Sequence, residues 1–197
     1  MSENILYRPN NNGFIRTIVK SQLLMELKTK NFVFNNNLIN LSENYLLTKY
    51  SKNLDQTLIT LLSLGQFEGK WDKKRFNEFI SPAQRQKGSK IILENNKAIA
   101  VTFASGAIFE KKEVGRLDFV VTHPEYRNQG LSTVVCIEVI KYLIKNNYKK
   151  IILQTDDWRV SALAVYFKLG FKPVLINKES EIRWNKIINT NFKNLKL

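Results

Sequence analysis

The sequence predicts a mixed α/β domain: a central β-sheet flanked by helices, with a β-rich extension at the N-terminal end. Three observations carry this. Apolar residues gather in short strand-like blocks such as "KIILENNKAIAVTFASG" and "GRLDFVVT". Elsewhere they recur at helical spacing, as in "LSTVVCIEVIKYLIK". The two kinds of block interleave along 197 residues, a length suited to one domain with an extension.

Residues 1–42 form the extension and residues 43–197 the domain proper. Within the extension, "NILYR" and "GFIRTIV" read as short strands joined by the turn formers of "PNNNG", and "NFVFNNNLINL" as another hairpin. From Tyr45 the pattern is regular. "NYLLTKY" is a strand, and "NLDQTLITLLSLGQF" a helix with Asp55 near its start and Gly65 near its end. "WDKKRFNEFI" is a short amphipathic helix stopped by Pro82. A hairpin turns at Asn95-Asn96, and "GRLDFVVT" is the next strand. A long helix covers Leu131 to Asn146, with Val134, Val135, Ile137, Ile140, Leu143 and Ile144 as its buried stripe. "KKIILQT" is a strand, Ser161–Leu169 a helix, "FKPVLI" a last strand, and a polar helix around Glu179–Ile188 closes the pattern.

Composition narrows the chemistry. A single cysteine, Cys136, rules out an internal disulfide, and His123 is the only histidine. No Cys/His metal set exists, and no close acidic cluster replaces it, so no metal is expected. No apolar run resembles a leader or reaches membrane-spanning length, and a cytoplasmic setting is the expectation. The net charge of +14 admits two explanations. A basic surface attracts nucleic acid, anionic membrane or phosphate. Biased coding, with Lys, Asn and Ile all abundant, gives the same balance without a partner. No basic block or regularly spaced basic helix favours the first, so no specific nucleic acid or membrane partner is expected.

The segment "FVVTHPEYRNQGLSTVVCIEVIKYL" joins a strand to a helix through a polar turn. A helix that opens directly after a strand presents unpaired N–H groups, which together with the helix dipole favour an anion. Gly130 permits positive φ and close approach of a ligand, Ser132 is small, and Arg127 adds a charge suited to phosphate. The turn reads equally as a pyrophosphate cradle or as an ordinary helix start with a turn glycine. It has neither the lysine of a P-loop nor the three glycines of a dinucleotide fingerprint.

A second segment, "ILQTDDWRVSALAVYFKLGFKP", decides between the two. Together the segments resemble the GNAT, or Gcn5-related N-acetyltransferase, family. Its acyl-CoA signature is Arg/Gln-x-x-Gly-x-Gly/Ala after a strand, matched by Arg127-Asn128-Gln129-Gly130-Leu131-Ser132, with "VVTHPEYR" as the approach. Its second signature is Asn-x-x-Ala-x-x-x-Tyr-x-x-x-Gly-Phe, matched by Arg159, Ala162, Tyr166, Gly170 and Phe171. The resemblance covers Tyr45 to the C-terminus. "TDDWR" and the later "IRW" are similar to a bacterial branch of the family. Ser132 and Arg159 depart from the signatures. The serine is still small. The arginine either pairs with Asp156 or Asp157 or reaches the cofactor.

The resemblance implies acetyl transfer from acetyl-CoA to an amine of a small molecule or peptide, by a monomer or homodimer. It implies that the strand Leu117–Thr122 splays from its neighbour, so that main-chain groups of Val120, Val121 and Thr122 bond the pantetheine arm. Arg127–Ser132 then hold the pyrophosphate, and Tyr166 is the general acid. A main-chain N–H near Val120 would steady the oxyanion. For the base, Asp118 is the first choice, with Glu110, Glu113 and Glu125 as alternatives or a water chain in place of any. His123 reads as a turn residue and Cys136 as a buried small side chain. Phe67, Trp71 and Phe76 line an acceptor pocket or simply pack helices, and packing is preferred. A sensor that binds acyl-CoA without catalysis is the alternative reading.

Overall fold

The computed structural model describes residues 22–33 and 41–193. Seven strands form one sheet: β1 (Leu23–Lys28), β2 (Leu46–Thr48), β3 (Lys90–Glu94), β4 (Lys97–Phe109), β5 (Lys112–Thr122), β6 (Lys150–Thr155) and β7 (Lys172–Val174). Their spatial order is β2-β3-β4-β5-β6-β1-β7. Only β5 and β6 are parallel. Helices α1 (Asp55–Ser63), α2 (Lys73–Ile80) and α3 (Ala83–Gly88) precede β3. α4 (Leu131–Lys145) makes the β5–β6 crossover, as a parallel pair requires. α5 (Val160–Lys168) joins β6 to β7, and α6 (Lys178–Asn191) follows.

Two apolar layers enclose the sheet. On one side Cys136, Ile140 and Leu143 of α4, Leu163 and Phe167 of α5 and Trp184 of α6 pack on Met25, Ala104, Leu117, Ile151 and Leu153. On the other, Leu58 and Leu62 of α1 and Phe76, Phe79 and Ile80 of α2 pack on Ile91, Phe103 and Val121. Trp71 and Phe76 are buried here, 4% and 0% exposed, so both serve packing.

Two elements differ from the sequence expectation. Pro82 ends α2 as expected, but it also stands at the N-cap of a further helix, α3. Proline suits a helix start because its missing N–H would be unpaired there anyway. α3 lies against β4 beyond the last β3 pair, with Gly88 so near Ala104 and Tyr142 that a Cβ there would sit 2.5 Å from each. The second difference is β1. "LLMELK" does not alternate, and its Leu, Met, Glu and Lys favour helix. It is nevertheless an interior strand, antiparallel to both β6 (Leu23↔Thr155) and β7 (Leu24↔Val174). Leu23, Met25 and Leu27 bury into the layer of α4–α6, and Leu24 into a separate cluster with Phe109, Val114 and Ile152. Burying such a side chain contributes about 1.5–3 kcal/mol. Part of the expected extension therefore lies inside the sheet. The expected strands "NILYR" and "GFIRTIV", and most of the hairpin in "NFVFNNNLINL", fall outside the described residues.

The second aspartate of "TDDWR", Asp157, meets the arginine of "IRW". Arg183 of α6 makes a two-pronged pair with Asp157, one bond being Nε to Oδ2 at 3.0 Å. The hydrogen bond from Arg183 holds the Asp157 carboxyl below its ordinary value of 3.8. A depressed acid contributes stability above its unfolded pKa and loses it as pH falls through the folded one. Asp157 is 41% exposed, so screening limits the pair to about 0.5–1 kcal/mol. Asp157→Asn is expected to lower the urea midpoint at neutral pH. The two proteins should converge as pH falls through the folded-state value, which lies below 3.8, because the wild-type carboxyl then becomes neutral too. A difference unchanged in acid would remove the ion pair as its cause.

Candidate active site

The site follows from how β5 is paired. On one edge it runs along β4 from Phe109↔Lys112 to Ala100↔Thr122. On the other it meets β6 only at Gly115↔Ile151 and Arg116↔Ile152. Beyond Arg116 the two strands part, which leaves main-chain groups facing a gap in the middle of the sheet. The β4 pairing also slips there: Val101 faces Val121, but Phe103 faces Asp118, so two β5 residues oppose Thr102. This is a β-bulge. Phe119 within it has φ +49°, in the left-handed region that non-glycine residues rarely enter. The bulge breaks plain alternation along this strand: Leu117 and Val120 both pack in the layer of α4 and α5, while Phe119 and Val121 both pack toward α1 and α2.

The polar turn sits where β5 ends. His123 accepts the Glu125 N–H at 3.4 Å and caps a turn of 3-10 helix, Pro124–Tyr126, as expected of a turn residue. Asn128 (φ +63°) and Gly130 (φ +76°) bracket Gln129 in left-handed conformations. Alternation of this kind makes concave sets of N–H groups suited to anions. α4 then starts at Leu131 with no side chain capping it. A Cβ added at Gly130 would meet nothing within 4 Å, so the backbone there is open to a ligand. Arg127, Asn128, Gln129 and Gly130 are exposed, Ser132 is half-buried, and Leu131 is buried as the anchor. The Tyr45 hydroxyl donates to Gln129 Oε1 at 2.7 Å, and its ring meets Tyr126 edge-on. Tyr45 escaped the sequence reading because no spacing links it to this turn.

Tyr166 of α5 is 6% exposed, in the same apolar layer as Leu117, Cys136 and the partly buried Val120, with its ring 6.1 Å from Phe171. Burial pushes its hydroxyl well above the ordinary value of 10.0. It is therefore protonated at neutral pH, as a proton donor requires. Burial likewise raises the Cys136 thiol, which is fully enclosed.

Two expectations change. Asp118 was expected to face an amine as the base. It is 2% exposed, paired with Arg116 Nε at 2.6 Å and Arg85 Nη2 at 3.2 Å, and it accepts the Ser105 hydroxyl at 2.5 Å. A carboxylate held between two guanidiniums is not presented to substrate. Of the alternatives, Glu110 and Glu113 lie at the β4–β5 hairpin, at the opposite end of β5 from the cradle, and Glu125 is exposed on the 3-10 turn. A cavity of about 420 Å³ opens at that hairpin end, lined by Phe109, Glu110 and several lysines, and is distinct from the gap.

The second change is Arg159, which pairs with Asp156 at 2.8 Å and also donates to the carbonyls of Gly65 (3.1 Å) and Gln66 (2.8 Å). Its guanidinium lies over Phe67 and Trp158. Phe67 in turn meets Phe119 edge-on at 4.7 Å. Arg159 thus ties α5 to the α1–α2 connection. Arg159→Ala is expected to cost about 2 kcal/mol, the scale of hydrogen bonds from a charged donor. Faster amide exchange at Gly65–Trp71 should accompany the loss, and Lys, with one compact ammonium, should not rescue it. Unchanged exchange there would mean that the connection holds without the arginine.

Parted parallel strands thus lie beside an open helix N-terminus. The sequence profile described as the "Acetyltransferase (GNAT) family" matches residues 58–171, and the chain belongs to that family. It is an acyl-CoA-dependent acetyltransferase by membership. Solved structures agree in fold. An acetyltransferase of Trypanosoma brucei is 17% identical, with TM-score 0.52, over 65% of this chain and 92% of that one. Glucosamine-6-phosphate N-acetyltransferase from Arabidopsis thaliana is 17% identical, with TM-score 0.55, over 68% and 96%. An aminoglycoside acetyltransferase from an uncultured soil metagenomic sample is 13% identical, with TM-score 0.54, over 66% and 90%. A search of curated proteins found no match. Among the described residues, no helix is long and apolar enough to cross a membrane, and no cluster of His, Cys, Asp or Glu could hold a metal ion.

Proposed function

We propose that this chain acetylates a primary amine of a small molecule or peptide by direct attack, with Tyr166 as general acid. The observation that carries the reading is the gap between β5 and β6, which opens beyond Arg116 toward the uncapped, glycine-led start of α4. The residues present fit acetyl-CoA: an open Cβ position at Gly130, left-handed turns on either side of Gln129, and an unpaired strand edge. Arg127–Ser132 would hold the pyrophosphate, and main-chain groups of Val120, Val121 and Thr122 the pantetheine arm. Acetyl-CoA supplies the activated acetyl group.

The chain's own residues then do three things. The bulge at Phe119–Val120 offers a main-chain N–H to the thioester oxygen, fixed before reaction and so free of reorganisation cost. The enclosed Tyr166 hydroxyl gives a proton to the departing sulfur. The buried ring layer around it excludes water. Among the described residues, Asp118 is held in its ion cluster and Glu110 and Glu113 lie at the far end of β5, so the amine enters neutral and sheds its proton to water.

Titration of acetyl-CoA into the purified protein by calorimetry tests the first half of this reading. Micromolar binding is expected. An amine panel followed by release of free thiol tests the second half. Absence of binding would remove the acetyl donor. Binding without thiol release from any amine class would leave a sensor of acyl-CoA in place of an enzyme.

A further inference from the structure

The reaction above leaves one feature unused: the buried ion cluster Arg85–Asp118–Arg116. It lies at the residue where β5 kinks. Asp118 is fixed by both its main chain and its side chain. Thr102, the residue opposite the bulge, donates its hydroxyl to the Asp118 carbonyl at 2.9 Å. Ser105, Arg85 and Arg116 converge on the carboxylate. Arg85 is itself anchored, donating to the Phe79 carbonyl at 2.9 Å and lying over the Phe79 ring at 4.2 Å. The next residue, Phe119, is gripped differently: Phe67, Trp71 and Phe79 meet its ring edge-on at 4.7, 5.3 and 5.1 Å.

Phe119 needs such a grip. A non-glycine residue in the left-handed region reverts to extended geometry unless its surroundings over-determine it. Reversion would restore plain alternation, and with it β5 main-chain groups that pair along the sheet instead of facing the gap. Stability alone does not explain the charges, because apolar residues of similar volume often hold a core as well as a buried ion triad. What a triad adds is a single permitted arrangement.

We propose that the Arg85–Asp118–Arg116 cluster, with Thr102 and Ser105, is a positioning device that holds the β5 bulge so that its main-chain donor meets the acyl carbonyl of the thioester. Asp118 is then a positioning residue, acting through Phe119 and Val120. The inference rests on the acetyl-CoA reading above, and its test separates the two.

Affinities for acetyl-CoA and for free CoA are measured by calorimetry on wild type, Asp118→Asn, Thr102→Val and Thr102→Ser. CoA has no acyl carbonyl, so the ratio of the two affinities reads the donor alone. Wild type is expected to prefer acetyl-CoA by about tenfold, the scale of one good hydrogen bond. Asp118→Asn and Thr102→Val should bind CoA as before and lose the preference, and Thr102→Ser should keep it. If Asp118→Asn does not fold, Thr102→Val, which removes one hydroxyl, decides the matter. A purely structural role would lower both affinities together, or neither. A preference retained in the variants, or absent from wild type, overturns the inference alone. A wild type that binds neither compound overturns the acetyl-CoA reading as well.

Discussion

Gly130→Glu is expected to bind acetyl-CoA at least about 100-fold more weakly than wild type while keeping its fold. Two effects add. A side chain at φ +76° is strained by about 1–2 kcal/mol. A carboxylate brought to about 4 Å from a pyrophosphate charge costs up to about 4 kcal/mol at the effective dielectric of a protein surface. Because a Cβ at this position meets nothing within 4 Å, the substitution does not disturb packing. Gly130→Ala isolates the strain and should cost far less affinity. Calorimetry with both variants checks this, with the melting temperature as the control for folding. Undiminished binding by the glutamate protein would move the pyrophosphate to some other part of the surface.

Tyr166→Phe should lower kcat by about 10²–10⁴ and leave KM for acetyl-CoA unchanged. The ring contact with Phe171 and the burial among Leu117, Cys136 and Leu163 survive the change, so a loss of rate would report the missing proton and not a loosened core. The wild-type pH profile adds a second check. Burial lifts the hydroxyl above its ordinary value of 10.0, so kcat should show no basic limb below pH 10. A variant that turns over at the wild-type rate would give the proton to another donor, most simply water.

How much of this was legible in the sequence depends on whether a feature is local. The cradle was legible because it is contiguous: Arg127 to Ser132 carry their own turn chemistry, and Gly130 has the left-handed φ its type allows. Motif spacing singled out Tyr166 and placed it on a helix, but not the depth of its burial. Asp118 was read correctly as a residue of the central strand but not for its surroundings. Its partners Arg85, Ser105 and Thr102 come from other elements, and only the folded chain brings them together. The bulge was hidden for a related reason. Phe119 is a good strand residue by propensity, and its left-handed φ is imposed by tertiary contacts that override that preference. Arg159 lay between: its bond to Asp156 is within reach by spacing, but its hold on Gly65 and Gln66, 94 and 93 residues away, is not. β1 went unread because an interior strand does not alternate and its residues favour helix.

The place of β1 also governs when the domain can be completed. Its neighbours on both sides are made late: Gln22, just before the strand, bonds Asp156 across 134 residues of chain. During synthesis β1 leaves the ribosome long before β6 and β7 exist. Its apolar residues then wait with unpaired edges for a partner, as exposed segments that favour aggregation do. The β2–β5 meander can assemble from near neighbours meanwhile, but loop closure across most of the chain must come before β6 is covered. Maturation is therefore expected to run from the β4–β5 half outward and to end with β1 entering between β6 and β7. The first of the described strands to be made is the last to be locked in, which makes it the seam at which a chaperone or a protease would find this protein unfinished.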